Sequence, residues 1–389
     1  MQPNPTLAQT FAPPVMEARR WLEGVTFPPE RPLLNLSQAA PVAPPPPPLQ
    51  AAMAEALADP ATHLYGPVLG LPALRERLAE QMRTIYGGAI TPAQIAITSG
   101  CNQAFCAAIT ALAGPGDEVI LPTPWYFNHA MWLSMQGIEA TPLPCNEDLL
   151  PDPEQAARRI TPRTRAIVLV TPNNPTGMEY PPALIAAFRD LARARGLALI
   201  IDETYRDFLS HDAAPHDLFT DPVWDDTLIH LYSFSKAYRL TGHRVGAMAA
   251  SPALLAQIEK FLDTVTICPT TLGQRAALWG LENLADWLAG ERAEILRRKA
   301  ALNQSFGALE GWQLRSCGAY FAYVAQPFDS PSDQLTPRLV REASLLILPG
   351  TMFTPTSDPS GARHLRIAYA NADLAGLSEL TRRLQGFDR

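Results

Sequence analysis

Four short stretches carry side chains able to act together on one ligand. Asp202-Glu203-Thr204-Tyr205 follows one apolar run, and TPNNPTG, Thr171 to Gly177, follows another. Ser233-Phe234-Ser235-Lys236 follows a third, with Arg244 further on, and Ser99-Gly100-Cys101-Asn102 follows a fourth and opens into an apolar helix. Singly, each has an ordinary structural explanation: a helix cap, a turn, a helix entrance, a solvated lysine. Together they specify a set of chemical partners. A glycine-led helix start offers free N–H groups to a phosphate, and Ser233, Ser235 and Arg244 add hydroxyl and guanidinium donors. The Asp202 carboxylate suits a ring nitrogen that must stay protonated. Tyr205 and Asn174 suit a ring oxygen, and the Lys236 amine suits an aldehyde.

Phosphate, pyridine, phenol and aldehyde on one molecule describe pyridoxal 5′-phosphate (PLP), the expected cofactor. Its residues need a scaffold that brings distant segments to one edge. Ligands of an open α/β sheet sit outside the carboxyl ends of its strands. Short apolar runs at Gln94–Thr98, Glu118–Leu121, Ala166–Val170, Leu197–Ile201 and Leu228–Tyr232 alternate with helical patterns at Leu49–Asp59, Pro72–Tyr86, Gln103–Leu112 and Pro182–Ala194. That alternation predicts an α/β fold around a mostly parallel sheet. Ser251–Ala289 reads as helical. Arg292–Phe306 reads as the start of a second region, with strands at Tyr320–Val324, Leu345–Leu348 and Leu365–Tyr369 and a closing helix at Asp373–Leu384. The consecutive prolines Pro44–Pro48 predict a stiff, extended connector outside any helix.

The motifs SFSKAYRLTGHRVG, IDETY and TPNNPTG, in this order and spacing, resemble those of the fold type I, class I/II aminotransferases. The resemblance spans nearly the whole chain. It implies a large domain with a seven-stranded, mostly parallel sheet flanked by helices, and a smaller α+β domain built from both chain ends. The corresponding division is an arm at 1–48, a large PLP-binding domain at 49–289 and a small C-terminal domain at 290–389. It implies that Lys236 holds the cofactor aldehyde and carries the catalytic proton, that Asp202 pairs with the ring nitrogen, and that Tyr205 and Asn174 bond the phenolic oxygen. Gly100, Cys101, Asn102, Ser233, Ser235 and Arg244 would hold the phosphate. In TPWYFNH, Tyr126 is similar to the aromatic that stacks on the ring, and His129 to the residue that bonds the cofactor's Asp. Tyr65, opening YGPVLGLPALRERL, resembles a tyrosine that crosses to the neighbouring active site of a homodimer. Arg366 of HLRIAYA resembles the arginine that grips the substrate α-carboxylate, beside Asn174.

Two departures bear on the substrate. LSQAAP matches the segment that covers the substrate, but Ala39 stands where a glycine is usual. Asn102 stands where an aspartate-using branch has a lysine. Trp21, Ala39, Tyr126 and Tyr320 are expected to line an apolar side-chain pocket, which favours neutral or aromatic donors at least as much as aspartate, with 2-oxoglutarate or pyruvate as acceptor. PLP β-lyases and aminocyclopropane-carboxylate synthases share these motifs, so a lyase is the alternative. A PLP-sensing regulator would need a DNA-binding module, and the Pro-rich segment before the first expected helix does not resemble one.

Composition sets the remaining bounds. Apolar residues make up 47% and charged residues 18%, as in globular proteins. A net charge of −7 argues against a nucleic-acid partner. Cys101, Cys106, Cys145, Cys268 and Cys317 are odd in number and form no Cys-x-x-Cys pair, so neither a disulfide framework nor a metal site is expected. Cys101 reads as a small turn residue rather than a reactive thiol. With no signal-like start at Met1–Pro14 and no long apolar run, the expectation is a cytoplasmic protein without a membrane partner.

Overall fold

The computed structural model describes residues 1–387. In chain order its strands are β1 (Leu34–Asn35), β2 (Ile95–Thr98), β3 (Glu118–Thr123), β4 (Glu139–Pro144), β5 (Thr164–Val170), β6 (Ala198–Asp202), β7 (Leu228–Ser233), β8 (Gly246–Ala249), β9 (Gln313–Gly318), β10 (Phe321–Ala325), β11 (Leu345–Leu346), β12 (Leu348–Pro349) and β13 (His364–Ile367). Seven of them form one sheet in the order β2-β8-β7-β6-β5-β3-β4. Only β8 runs against its neighbours, pairing antiparallel with both β2 and β7.

Both faces of this sheet are covered. Ile97, Ile120, Ile167, Leu169, Leu199, Ile201 and Tyr232 pack into one apolar cluster. The alternating residues Ala96, Val119, Leu121, Ala166, Val168, Ile200 and Leu231 pack into another. This is the two-residue period of a strand, apolar on both sides. Each such Val, Leu or Ile side chain contributes roughly 1.5–3 kcal/mol relative to an exposed one.

The register sets the functional edge. Val170 lies opposite Asp202, Asp202 opposite Leu231, and Gly246 opposite both Ser233 and Thr98. The ends of four parallel strands and the start of β8 therefore share one rim. Helix Cys101–Leu112, the loop from Thr171, helix Phe234–Ala237 and the turn at Arg244 all leave from it.

A second sheet, β12-β13-β10-β9, is antiparallel. Residues from helices Ala285–Gly307, Ser332–Ala343 and Leu374–Gln385 join it in a separate apolar cluster. Strand β1 pairs in parallel with β11, tying the N-terminal segment to the C-terminal region. The boundary expected at 289/290 falls inside helix Ala285–Gly307, which runs unbroken through it.

Several expectations need correction. Pro47 and Pro48 form the first turn of helix Pro47–Ala56 instead of staying outside it. The first-turn N–H groups have no intrahelical acceptor, so proline costs nothing there. The arm holds two short helices, Pro5–Gln9 and Pro14–Arg20. Leu345–Leu348 is two short strands in different sheets. Strands β1, β4, β8 and β9 are not among those expected from the sequence pattern. No helix among the described residues is long and apolar enough to cross a membrane.

Candidate active site

One cavity of about 460 Å³ opens at the rim of the large sheet, within the range of small-molecule sites. Cys101, Asn102, Tyr126, Asn174, Asp202, Tyr205, Ser233, Ser235, Lys236, Arg244, Arg366 and Ala39 all line it. Gly100 lies against it, packed on Arg244: a Cβ at Gly100 would stand 2.2 Å from the Arg244 Nη2. Tyr65 is not on this cavity and is 80% exposed.

The phosphate-type cradle is built by the turn after β2. Gly100 adopts φ +90° and caps helix Cys101–Leu112, a conformation that disfavours other residues. Gln103 and Ala104 N–H donate back to the Gly100 carbonyl. The Cys101 and Asn102 N–H groups precede those bonds and stay available for an anion. Arg244 Nη1 donates to the Thr241 carbonyl at 3.0 Å, which steadies its guanidinium beside the cradle. Ser233 and Ser235 are buried and line the same cavity.

Asp202 ends β6 and is buried. Its Oδ1 accepts from Thr204 N at 3.0 Å and Thr204 Oγ1 at 2.7 Å, and its Oδ2 lies 3.4 Å from His129 Nε2. Burial pushes this carboxyl up, but His129 and Thr204 outweigh burial and hold it below its ordinary value. It is an anion facing the cavity. Glu203, the next residue, points the other way and accepts from His230 Nε2 at 2.8 Å and from Tyr86. Burial raises its carboxyl too, yet His216 and His230 bring it to about 2. Strand alternation thus gives Asp202 to the ligand and Glu203 to the interior.

Lys236 is the only one of the chain's three lysines that lines the cavity. Its Nζ donates to the Ala39 carbonyl and stands 5.9 Å from the Tyr205 ring centroid. Burial, with Arg244 and Arg366 nearby, lowers its ammonium to about 8, so a useful fraction is a neutral nucleophile. Burial pushes the Tyr205 phenol well above its usual value, which keeps it a proton donor. Tyr126 donates to Asn102 Oδ1 at 3.3 Å and meets the His129 ring edge-on at 5.0 Å.

Arg366, on β13, is buried. Its Nη1 donates to Asn174 Oδ1 at 3.3 Å and its Nη2 to the Ser37 carbonyl. Its Nε has no protein partner. Burial lowers its guanidinium to about 10, still cationic at neutral pH. A buried arginine with a spare N–H is suited to a carboxylate.

The side-chain end of the cavity differs from expectation. Trp21 and Tyr320 do not line it; Pro13, Val15, Met16, Arg19, Phe127 and Asn128 do. Val15, Met16 and Arg19 share a face of helix Pro14–Arg20 by their spacing, and Trp21 falls two positions beyond, off that face. Tyr320 packs behind Tyr205, with ring centroids 5.4 Å apart. Cys101 is buried with Sγ 3.7 Å from Asp202 Oδ1, and burial pushes its thiol well up, so it is no nucleophile. Thr204 of IDETY joins the site as a donor to Asp202, and its position two residues after an Asp is the sequence signal for that bond.

This donor set matches PLP: a cradle of free N–H groups for phosphate, a buried carboxylate for the ring nitrogen, a protonated phenol for the ring oxygen, and one amine for the aldehyde. Comparison with known proteins gives the same direction. The model of the family described as aminotransferase class I and II matches residues 31–384. An aspartate/prephenate aminotransferase of Thermus thermophilus is 30% identical over 315 residues, 79% of this chain and 79% of that protein. An arginine–pyruvate transaminase of Pseudomonas aeruginosa is 32% identical over 329 residues, 83% of this chain and 81% of that one. The solved aspartate aminotransferase of Thermus thermophilus with maleate superposes with a TM-score of 0.88 at 27% identity, covering 99% of each chain.

Proposed function

This chain belongs to the class I and II aminotransferases, and from that premise we propose how its own residues transfer an amino group from an L-amino acid to a 2-oxo acid. It is a PLP-dependent enzyme. When bound, PLP supplies an aldehyde that captures the amino group and a cationic ring that accepts the electrons left by the departing α-proton. Gly100, Cys101, Asn102, Ser233, Ser235 and Arg244 would hold its phosphate. Asp202 would pair with its ring nitrogen and keep it protonated, Tyr205 and Asn174 would bond its ring oxygen, and Tyr126 would pack on its ring. Arg366 binds the α-carboxylate and so presents the α C–H to Lys236. Lys236 Nζ, the one lysine amine on the cavity, would accept the α-proton and give it back. An acceptor oxo acid would then be served by the same residues in reverse, a ping-pong cycle. Ala39 and its neighbours cover the site.

The observation that carries this assignment is the convergence of Lys236, Asp202 and Arg366 on one cavity. The test is holoenzyme mixed with a good donor and no acceptor. An aminotransferase stops after one equivalent of oxo acid per site, whereas a lyase continues to turn over.

The donor end is mainly apolar, lined by Val15, Met16 and Phe127. Neutral or aromatic donors should therefore be used at least as well as aspartate, with 2-oxoglutarate or pyruvate as acceptor. Steady-state kcat/KM for phenylalanine, methionine, alanine and aspartate checks this. A hundredfold lead for aspartate, about 2.7 kcal/mol, would overturn it.

We also propose a homodimer. Leu64, Tyr65 and Ile267 expose large apolar surface, and Gly66 N–H donates to Cys268 Sγ at 3.3 Å, which joins the two segments in one patch. A second copy would bury the patch and receive Tyr65 at its phosphate site; sedimentation of an active species at monomer mass would refute this. The free cysteines suit a reducing compartment, in keeping with a cytoplasmic location.

A further inference from the structure

Lys236, Arg244, Arg366 and Arg19 are the Lys and Arg side chains on the cavity. The first three have tasks in the function proposed above, on which this inference rests. Arg19 has none. It is exposed at the mouth, and its Nη2 donates to Gln38 Oε1 at 2.9 Å, a neutral acceptor. Among the described residues no carboxylate pairs with it, while its neighbour Arg20 takes Glu17 at 3.1 Å. Its place relative to the chemistry is set by one loop. Arg366 donates to the Ser37 carbonyl, Arg19 to the Gln38 side chain and Lys236 to the Ala39 carbonyl. Three consecutive residues thus tie together the α-carboxylate cation, the reacting amine and the spare guanidinium. Pro13, Val15 and Met16 form the apolar wall beside Arg19.

We propose that Arg19 is a specificity residue that binds the second carboxylate of a long dicarboxylic oxo acid, the class of 2-oxoglutarate, in the acceptor half of the cycle. The planar guanidinium fork matches a carboxylate, and the adjoining wall takes the intervening methylenes. A neutral donor uses the same wall and leaves Arg19 to Gln38 and water. One cavity then serves an apolar donor and an acidic acceptor in alternation, without a lysine at Asn102.

The test uses holoenzyme and two unreactive probes, glutarate and butyrate, with binding measured by calorimetry. Arg19→Met should weaken glutarate roughly tenfold, the loss of one solvent-accessible charge-assisted contact, and leave butyrate within about twofold. Arg19→Lys should recover part of the glutarate affinity. Unchanged glutarate binding would overturn the proposal. So would equal losses for both probes, which would make Arg19 only a support for Gln38. Arg366→Ala is measured alongside. If it binds butyrate as wild type does, the placement of the first carboxylate fails, and this inference with it.

Discussion

His129 Nε2 lies 3.4 Å from Asp202 Oδ2, with both side chains buried. Phe105 stacks on the imidazole at 3.8 Å, which fixes the ring in that position. His129 is thus a positioning residue that keeps an interior carboxylate ionised. Asp202 titrates below its ordinary value in the folded protein. Its ionised form therefore favours the fold above the unfolded value, and that contribution is lost as pH falls through the folded one. In His129→Phe, burial acts with less opposition and the carboxyl rises. Cofactor affinity at neutral pH should fall roughly tenfold, and the acid limb of binding should move toward neutral pH. Absorbance titrations across pH check this; a profile that superposes on wild type would refute the role.

Gly100→Ala should damage the phosphate cradle without unfolding the protein. Its φ of +90° is strained for alanine, and the added Cβ would press on the Arg244 guanidinium. Arg244 must move away from the anion, so cofactor affinity should drop at least roughly tenfold while circular dichroism stays unchanged.

Lys236 gives a stability test that needs no turnover. In the folded protein its ammonium titrates near 8, below the unfolded value of about 10.4. Protonating it opposes folding below pH 8, and the penalty fades as pH rises from about 8 to about 10.4. Cofactor-free Lys236→Met should therefore melt higher than cofactor-free wild type at pH 7, by roughly 2–4 °C. The gap should close by about pH 10.5, the top of that window. A gap independent of pH would contradict the lowered value.

The legible part of the site was the part written in contiguous motifs. Asp202 ends β6, Asn174 and Lys236 follow the ends of β5 and β7 within four residues, and Arg244 stands two residues before β8. The strands that escaped notice have identifiable reasons. Strand β4 is an edge strand carrying Pro142 and Pro144, permissible only because an edge has unpaired positions. Strand β8, Gly246–Ala249, is made of small residues and a methionine, with no β-branched signature. Of the residues expected at the donor end, Ala39 and Tyr126 line the cavity and Trp21 and Tyr320 do not, because that end depends on tertiary placement. Helix Pro14–Arg20 presents Met16 and Arg19 rather than Trp21, and no motif marks that rotation.

Arg366→Ala should raise KM for amino donors roughly a hundredfold, the upper range for a buried charge-assisted contact, with the bound-cofactor absorbance unchanged. A loss of that absorbance instead would assign Arg366 to the cofactor rather than the substrate.

Lys236 is the residue proposed to hold the cofactor. Borohydride reduction of holoenzyme fixes the aldehyde carbon to its amine, and peptide mass spectrometry then locates it. With only Lys236, Lys260 and Lys299 in the chain, the outcome is unambiguous. The phosphopyridoxyl mass should appear on the peptide containing Lys236 and vanish in Lys236→Ala. Finding it on Lys260 or Lys299, or on no lysine of a catalytically active holoenzyme, would contradict the account.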